Sequence, residues 1–243
     1  MISLDQMNDE IFRQIVGLIR PDMTEVVLDV GGCNNLTDAG LDKIPILPDS
    51  LETLSLGFDQ CRQLTSKALV NLSKKLPPNL TSLNLNFLPQ KTWDGSWDPP
   101  RMDDILFTIA NKLAKSLVEV QISTTLNSDS GDGVVALATN LPSGTKKFKL
   151  DLRAWPHFKG QYFVDMAKCL PLSLEELDVN TWANDHFEEE ELRLFADEIL
   201  KLHHLTSCKV NTTCTDKSGL LKTRRLNLDQ LRAYATSTSQ STY

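Results

Sequence analysis

Apolar and polar residues alternate in short segments that recur along the chain. Apolar residues occupy relative positions 0, 3 and 5, as Leu51, Leu54 and Leu56 do; in the segment at 145 Thr145 stands at position 0. The segments begin at residues 23, 51, 80, 117, 145, 174 and 205, so the successive steps are 28, 29, 37, 28, 29 and 31 residues. Alternation with a period of two is typical of a strand with one buried face. The pattern therefore predicts seven short strands at nearly regular spacing.

A second period follows the strands. Apolar residues then recur at steps of three and four, as in the stretch 64–76, which carries Leu64, Ala68, Leu69 and Leu72. This spacing is typical of a helix that packs on one side. One strand and one helix cannot bury their apolar faces alone, but stacked copies make a continuous core. We predict an α/β solenoid with a parallel sheet on its concave side and helices outside.

The ends of the pattern suggest one domain over residues 1–243. An apolar stripe within residues 4–20 predicts an N-terminal capping helix, since the open end of a solenoid core needs a cover. We therefore expect a cap over 1–22, repeats over 23–232 and a polar tail over 233–243. A short helix is expected around Leu228 after the last unit. Four residues lie where helix N-caps belong: Thr37, Thr65, Asp103 and Asp185.

Two repeats share a further motif. Cys33 and Cys61 each follow the start of their unit by ten residues, and each begins the pattern C-x-x-L-T. This unit resembles the cysteine-containing subclass of leucine-rich repeats found in F-box-associated receptors, and it is similar to ribonuclease-inhibitor-like repeats. The resemblance implies a right-handed α/β horseshoe arc of about seven strand–helix repeats. Since only the stretch 1–22 precedes the repeats, we expect no F-box segment.

Charge, apolar content and cysteine spacing exclude several classes of function. The formal net charge is -7 and the isoelectric point about 5.1, which argues against a general nucleic-acid binder because phosphate binding needs a cationic face. No apolar run is long enough to insert into a membrane, and the first residues do not resemble a signal peptide. We expect a soluble intracellular protein in the cytoplasm, with an organellar assembly as the alternative. The five cysteines form no C-x-x-C pair, so we expect no metal and no cofactor.

The candidate binding residues lie mainly on the strands. Side chains between the buried positions should face the concave side, where they form a polar surface with a basic strand beside an acidic one. From this surface we select Asn84, Lys147, Lys149 and Asp178 as partner-binding residues. Phe58, Phe87 and Trp182 follow their strands at the rim. For the two phenylalanines, packing inside the domain and contact with a partner both remain open.

The long step of 37 residues contains an insertion, residues 88–100, rich in Pro, Gly and Asp. Such insertions lie in loops, often at a binding edge. Trp93 and Trp97 within it would be costly to expose, so they should either fold back on the domain or contact a partner.

No catalytic motif such as G-x-S-x-G, H-E-x-x-H or G-x-G-x-x-G occurs. The sequence therefore favours a non-enzymatic interaction module or adaptor that binds a protein through the concave face and the 88–100 loop. The alternative is a structural accessory subunit of a large multiprotein, organellar assembly. The identity of the partner does not follow from the sequence.

Overall fold

The computed structural model describes residues 7–87, 102–125, 130–153, 155, 158–183, 187–216 and 218–237. Strands and helices alternate along them. The strands are β1 (Glu25–Asp29), β2 (Thr53–Gly57), β3 (Ser82–Phe87), β4 (Glu119–Thr125), β5 (Lys147–Arg153), β6 (Glu176–Thr181), β7 (Ser207–Thr215) and β8 (Leu221–Asn227). The helices are α1 (Asp9–Val16), α2 (Asp38–Asp42), α3 (Ser66–Ser73), α4 (Met102–Ala110), α5 (Asp132–Thr139), α6 (Gly160–Cys169), α7 (Glu189–Ile199) and α8 (Leu228–Ser237).

The eight strands form one open sheet in chain order. Strands β1 to β7 pair in parallel, and equivalent repeat positions lie side by side: Leu54 of β2 aligns with Leu83 of β3, and Leu83 with Val120 of β4. The predicted repeat alignment is therefore confirmed by the strand register. The molecule has the leucine-rich-repeat solenoid fold that the spacing predicts.

One hydrophobic core runs along the sheet between strands and helices. It contains the inward residues of the strands, such as Leu56 and Leu150, together with the apolar stripes of the helices, such as Leu69 and Phe195. Alternate strand residues are half-buried or exposed and lie on the other side of the sheet. We call that side the open face.

The C-terminal end departs from the repeat. Where a helix would follow β7 directly, the chain turns back and β8 pairs with β7 antiparallel. Arg224 of β8 then donates to Glu189 of α7 at 2.9 Å, and α8 packs beside α7. The short helix expected here is present, but it continues through Ser237, so the predicted polar tail begins inside a helix. The hairpin and α8 together cover the last repeat.

Carboxylates of three helices bind the start of the next helix along the chain. Thr37 caps α2 as predicted, because its hydroxyl accepts from the Ala39 amide at 3.2 Å. The Thr37 hydroxyl also donates to Asp9, in the first turn of α1, at 2.6 Å. Thr65 is the N-cap residue of α3, as predicted, but its side chain makes no capping hydrogen bond; its amide and hydroxyl donate to Asp38 of α2.

Asp103 also binds the start of the next helix along the chain. The prediction that Asp103 is the N-cap of its own helix is wrong. It lies inside α4, and its carboxylate accepts from the start of α5: from the Ser130 amide at 3.1 Å and the Gly133 amide at 2.8 Å. The N-cap of α5 is Gly131, whose φ of 118° suits glycine and which has no side chain to cap with. Asp103 thus caps the helix of the following repeat. Asp185, the fourth predicted cap, lies outside the described residues.

Candidate functional site: the open face

The polar side chains of the open face are arranged in rows that cross the sheet. Strand register sets each row, because aligned residues of neighbouring strands point to the same side. The middle row is Val27, Ser55, Asn84, Gln121, Lys149, Asp178, Lys209 and Asn227. The next row is Asp29, Gly57, Asn86, Ser123, Asp151, Asn180, Asn211 and Arg225. Four of the selected residues, Asn84, Lys147, Lys149 and Asp178, lie together on this face.

In the N-terminal half of the open face the two rows carry one charged side chain, Asp29, and their other residues are apolar or uncharged polar. Asn84 is half-buried, and its Nδ2 donates to Ser55 Oγ at 3.1 Å. Its Oδ1 is buried and has no hydrogen-bond partner among the described residues.

The C-terminal half of the open face carries most of its charged side chains. Lys147 Nζ lies 3.3 Å from Glu176 Oε1, its neighbour across β5 and β6, and both side chains are two-fifths exposed. Such a partly exposed pair contributes at most about 1 kcal/mol. Lys149 aligns with Asp178, but no ion pair within 4 Å joins them among the described residues. Their charges remain available to an incoming group.

A cleft of about 420 Å³ lies at the C-terminal end of the open face. Three strands supply its walls: Asp178 and Asn180 from β6, Lys209 and Asn211 from β7, and Arg225 and Asn227 from β8. Gln230 at the start of α8 completes the rim. We call this site the C-terminal cleft. It combines two cationic, one anionic and several amide side chains.

The aromatic residues at the strand ends separate into two groups. Phe58 and Phe87 are only 4% and 3% exposed, and their rings stack with centroids 6.1 Å apart. Phe58 also meets Phe12 of α1 edge to face at 6.5 Å. Their selection as partner-binding residues is therefore corrected: both rings continue the inward alternation of their strands, and Phe58 joins α1 to the repeats.

Trp182 differs from them, since it is 47% exposed at the end of β6. Its backbone amide donates to Asn180 Oδ1 at 3.2 Å, which ties this rim to the wall of the C-terminal cleft. Trp93 and Trp97 lie outside the described residues, so the structure does not test the prediction for the 88–100 loop.

Sequence reasoning missed half of the C-terminal cleft. Lys209 occupies the same row as Lys149, and that shared position was the available signal. Arg225, Asn227 and Gln230 belong to the hairpin and to α8, and no repeat period marks them. The contribution of β8 depends on its antiparallel return, which only the structure reveals.

Two of the cysteine thiols, Cys61 and Cys208, are poorly suited to act as nucleophiles. Cys61 is buried and its Sγ donates to the Val30 carbonyl oxygen at 3.2 Å. Burial raises the pKa of Cys61 and that of Cys208 to about 12, so both remain protonated thiols at neutral pH. Among the described residues no group of three His, Cys, Asp or Glu side chains could hold a metal ion.

None of the helices in the described part of the chain is long and apolar enough to span a bilayer.

The comparisons with known proteins give fold likeness only. No family model and no curated protein matches the chain. A solved leucine-rich-repeat-containing protein, LegL7 from Legionella pneumophila, is similar with 12% identity and a TM-score of 0.40, over 93% of this chain and 94% of that one. Rad7, solved in complex with Elc1 in yeast, is similar with 15% identity and a TM-score of 0.41; the match covers 84% of this chain and 59% of Rad7. The fold assignment therefore rests on the chain's own register and spacing.

Proposed function

We propose that this chain is a non-enzymatic module that binds a protein partner through the open face of its sheet. The observation that carries the proposal is the middle row. Lys149, Asp178 and Lys209 follow one another across β5 to β7, yet none of the three forms an ion pair within 4 Å among the described residues. Charges fixed on paired strands and left unmatched favour recognition of a complementary surface.

The rigidity of the platform supports the same function. Each of these side chains stands on a strand that is paired on both sides, with a continuous core beneath. Binding of a partner would therefore cost little free energy for ordering this surface. A preorganised surface binds more tightly than a mobile one. The wide, polar and largely unobstructed face suits a protein surface better than a small substrate.

Site-specific photo-crosslinking in cells tests the proposal. A photoreactive amino acid replaces Gln121 or Lys149 on the open face, and Lys67 or Lys168 on the helices serves as the matched control. We expect a defined protein adduct from the open-face positions only. The double substitution Lys147→Glu/Lys149→Glu should abolish the Gln121 adduct, because it reverses the charge on the strand next to Gln121.

Two other outcomes would count against the proposal. Adducts of equal yield from both faces would favour the accessory-subunit alternative, in which the solenoid is enclosed by a large assembly. Absence of any adduct from Gln121 and Lys149, with the chain folded and abundant, would reject the open face as a binding surface.

A further inference from the structure

The C-terminal cleft differs in charge from the rest of the open face. On β5, Lys147 pairs with Glu176, and Arg153 Nε lies 3.0 Å from Asp151 Oδ1. Lys209 and Arg225 are both exposed, and neither has a carboxylate within 4 Å among the described residues. Asp178 is the one carboxylate that lines the cleft. An acidic protein thus concentrates unpaired positive charge at one end of its open face.

The cleft is also held in shape. Asn211 Nδ2 donates to Asn180 Oδ1 at 3.0 Å across β6 and β7. At the rim, the Asn227 amide donates to Gln230 Oε1 and the Gln230 amide donates to Asn227 Oδ1, both at 2.9 Å. These bonds fix the walls on either side of Arg225, so the cations need little reorganisation when a ligand arrives.

The remaining polar groups fit a peptide. Amide side chains from β6, β7, β8 and α8 line the cleft and offer both donors and acceptors, as a peptide backbone requires. A nucleic acid is less well matched, because two cations and one carboxylate neutralise few phosphates.

We propose that the C-terminal cleft binds an acidic segment of a partner protein, with a carboxylate side chain held between Lys209 and Arg225. This inference rests on the proposed function and adds the chemistry of the partner. Asp178 sets the selectivity: it repels a second carboxylate on the β6 side and so limits where the acidic residue sits.

Fluorescence anisotropy with a labelled hexaglutamate peptide tests the inference on the full chain. We expect saturable binding that weakens about fivefold in Lys209→Gln and in Arg225→Gln, the upper range for a partly exposed ion pair. Asp178→Asn should strengthen binding, because it removes the one repulsive charge. Lys115→Gln is the matched control: it removes the same charge at an exposed site in the turn before β4 and should leave binding unchanged.

Three results would overturn the inference. One is the absence of saturable binding up to about 1 mM peptide, a very weak affinity. Another is equal weakening by Lys115→Gln and the cleft variants, which would indicate a general charge effect. The third is a twelve-nucleotide oligothymidylate that binds more tightly than hexaglutamate and loses affinity in the same two variants.

The photo-crosslinking experiment separates this inference from the proposed function. If the Gln121 and Lys149 adducts persist unchanged in the Lys209→Gln and Arg225→Gln variants, the module binds through its open face but not through an acidic segment in the cleft. Equal denaturation midpoints for the variants and wild type would show that the exposed substitutions leave the fold intact.

Discussion

Replacement of Phe58 by alanine tests whether this ring belongs to the core or to a binding surface. Phe58 lies between Phe12 of α1 and Phe87 of β3, and all three rings are at least 96% buried. Phe58→Ala would leave a void between the cap and the second and third repeats. The surrounding helices and strands are paired with their neighbours and can close it only in part.

The expected cost follows from burial. A buried aromatic side chain removes at least about 150 Å² from water, and at about 25 cal/mol per Å² this corresponds to about 4 kcal/mol. Measured Phe→Ala losses in protein cores are about 3–5 kcal/mol. For a chain of this size, a loss of about 4 kcal/mol should lower the melting temperature by about 8–16 °C. Phe58→Leu keeps most of the volume and should lose about 1 kcal/mol, the contribution of ring packing.

Urea denaturation followed by circular dichroism measures these losses as changes in the free energy of unfolding. Ile46→Ala is a suitable control, because Ile46 is 86% exposed and its loss should change stability by no more than about 0.5 kcal/mol. If Phe58→Ala were as stable as Ile46→Ala, while its open-face crosslinks disappeared, the ring would be a partner contact and the packing argument would be refuted.

The remaining predictions concern a helix start, a turn and the thiols. Asp103→Ala should lower the free energy of unfolding by about 1–2 kcal/mol and speed hydrogen exchange at the first amides of α5, which lose their acceptor; unchanged exchange would contradict this. A hydrogen bond from Lys222 lowers the pKa of Asp216 below its usual 3.8, so its stabilisation is present above that value and is lost as the pH falls below it. Acid urea titrations should show a smaller loss of stability in Asp216→Asn than in wild type, because other carboxylates with a lowered pKa, such as Glu175, still titrate. Since burial raises the pKa of Cys61 to about 12, a disulfide reagent at pH 8 should modify the half-buried Cys169 first and Cys61 only after unfolding, whereas rapid modification of native Cys61 would disprove the protected environment.

The sequence predicts the repeated part of the fold well because its signal is cooperative. Seven segments share one apolar pattern, and the strand register aligns Leu54, Leu83 and Val120 as that pattern requires. A single misplaced residue cannot obscure a period that recurs along the chain. The open-face positions of Asn84, Lys149 and Asp178 follow from the same alternation.

Features that occur once were not predictable in this way. Strand β8 has no buried face and carries Lys222, Arg224 and Arg225, so its sequence lacks the apolar alternation of a half-buried strand. It becomes a strand because β7 offers it hydrogen-bonding groups at the end of the sheet. The sequence pattern therefore predicts the repeats but not the half of the C-terminal cleft that β8 and α8 supply.

The carboxylates that link successive helices give the solenoid a direction. Asp9 of α1 binds the start of α2, Asp38 of α2 binds the start of α3, and Asp103 of α4 binds the start of α5. For these three helices, removal of units from the C-terminal side leaves the carboxylate of the preceding helix in place, whereas removal of the preceding unit deletes it. During translation each of these carboxylates also emerges before the segment that it will hold. The repeats can therefore fold one after another in the order in which they are synthesised.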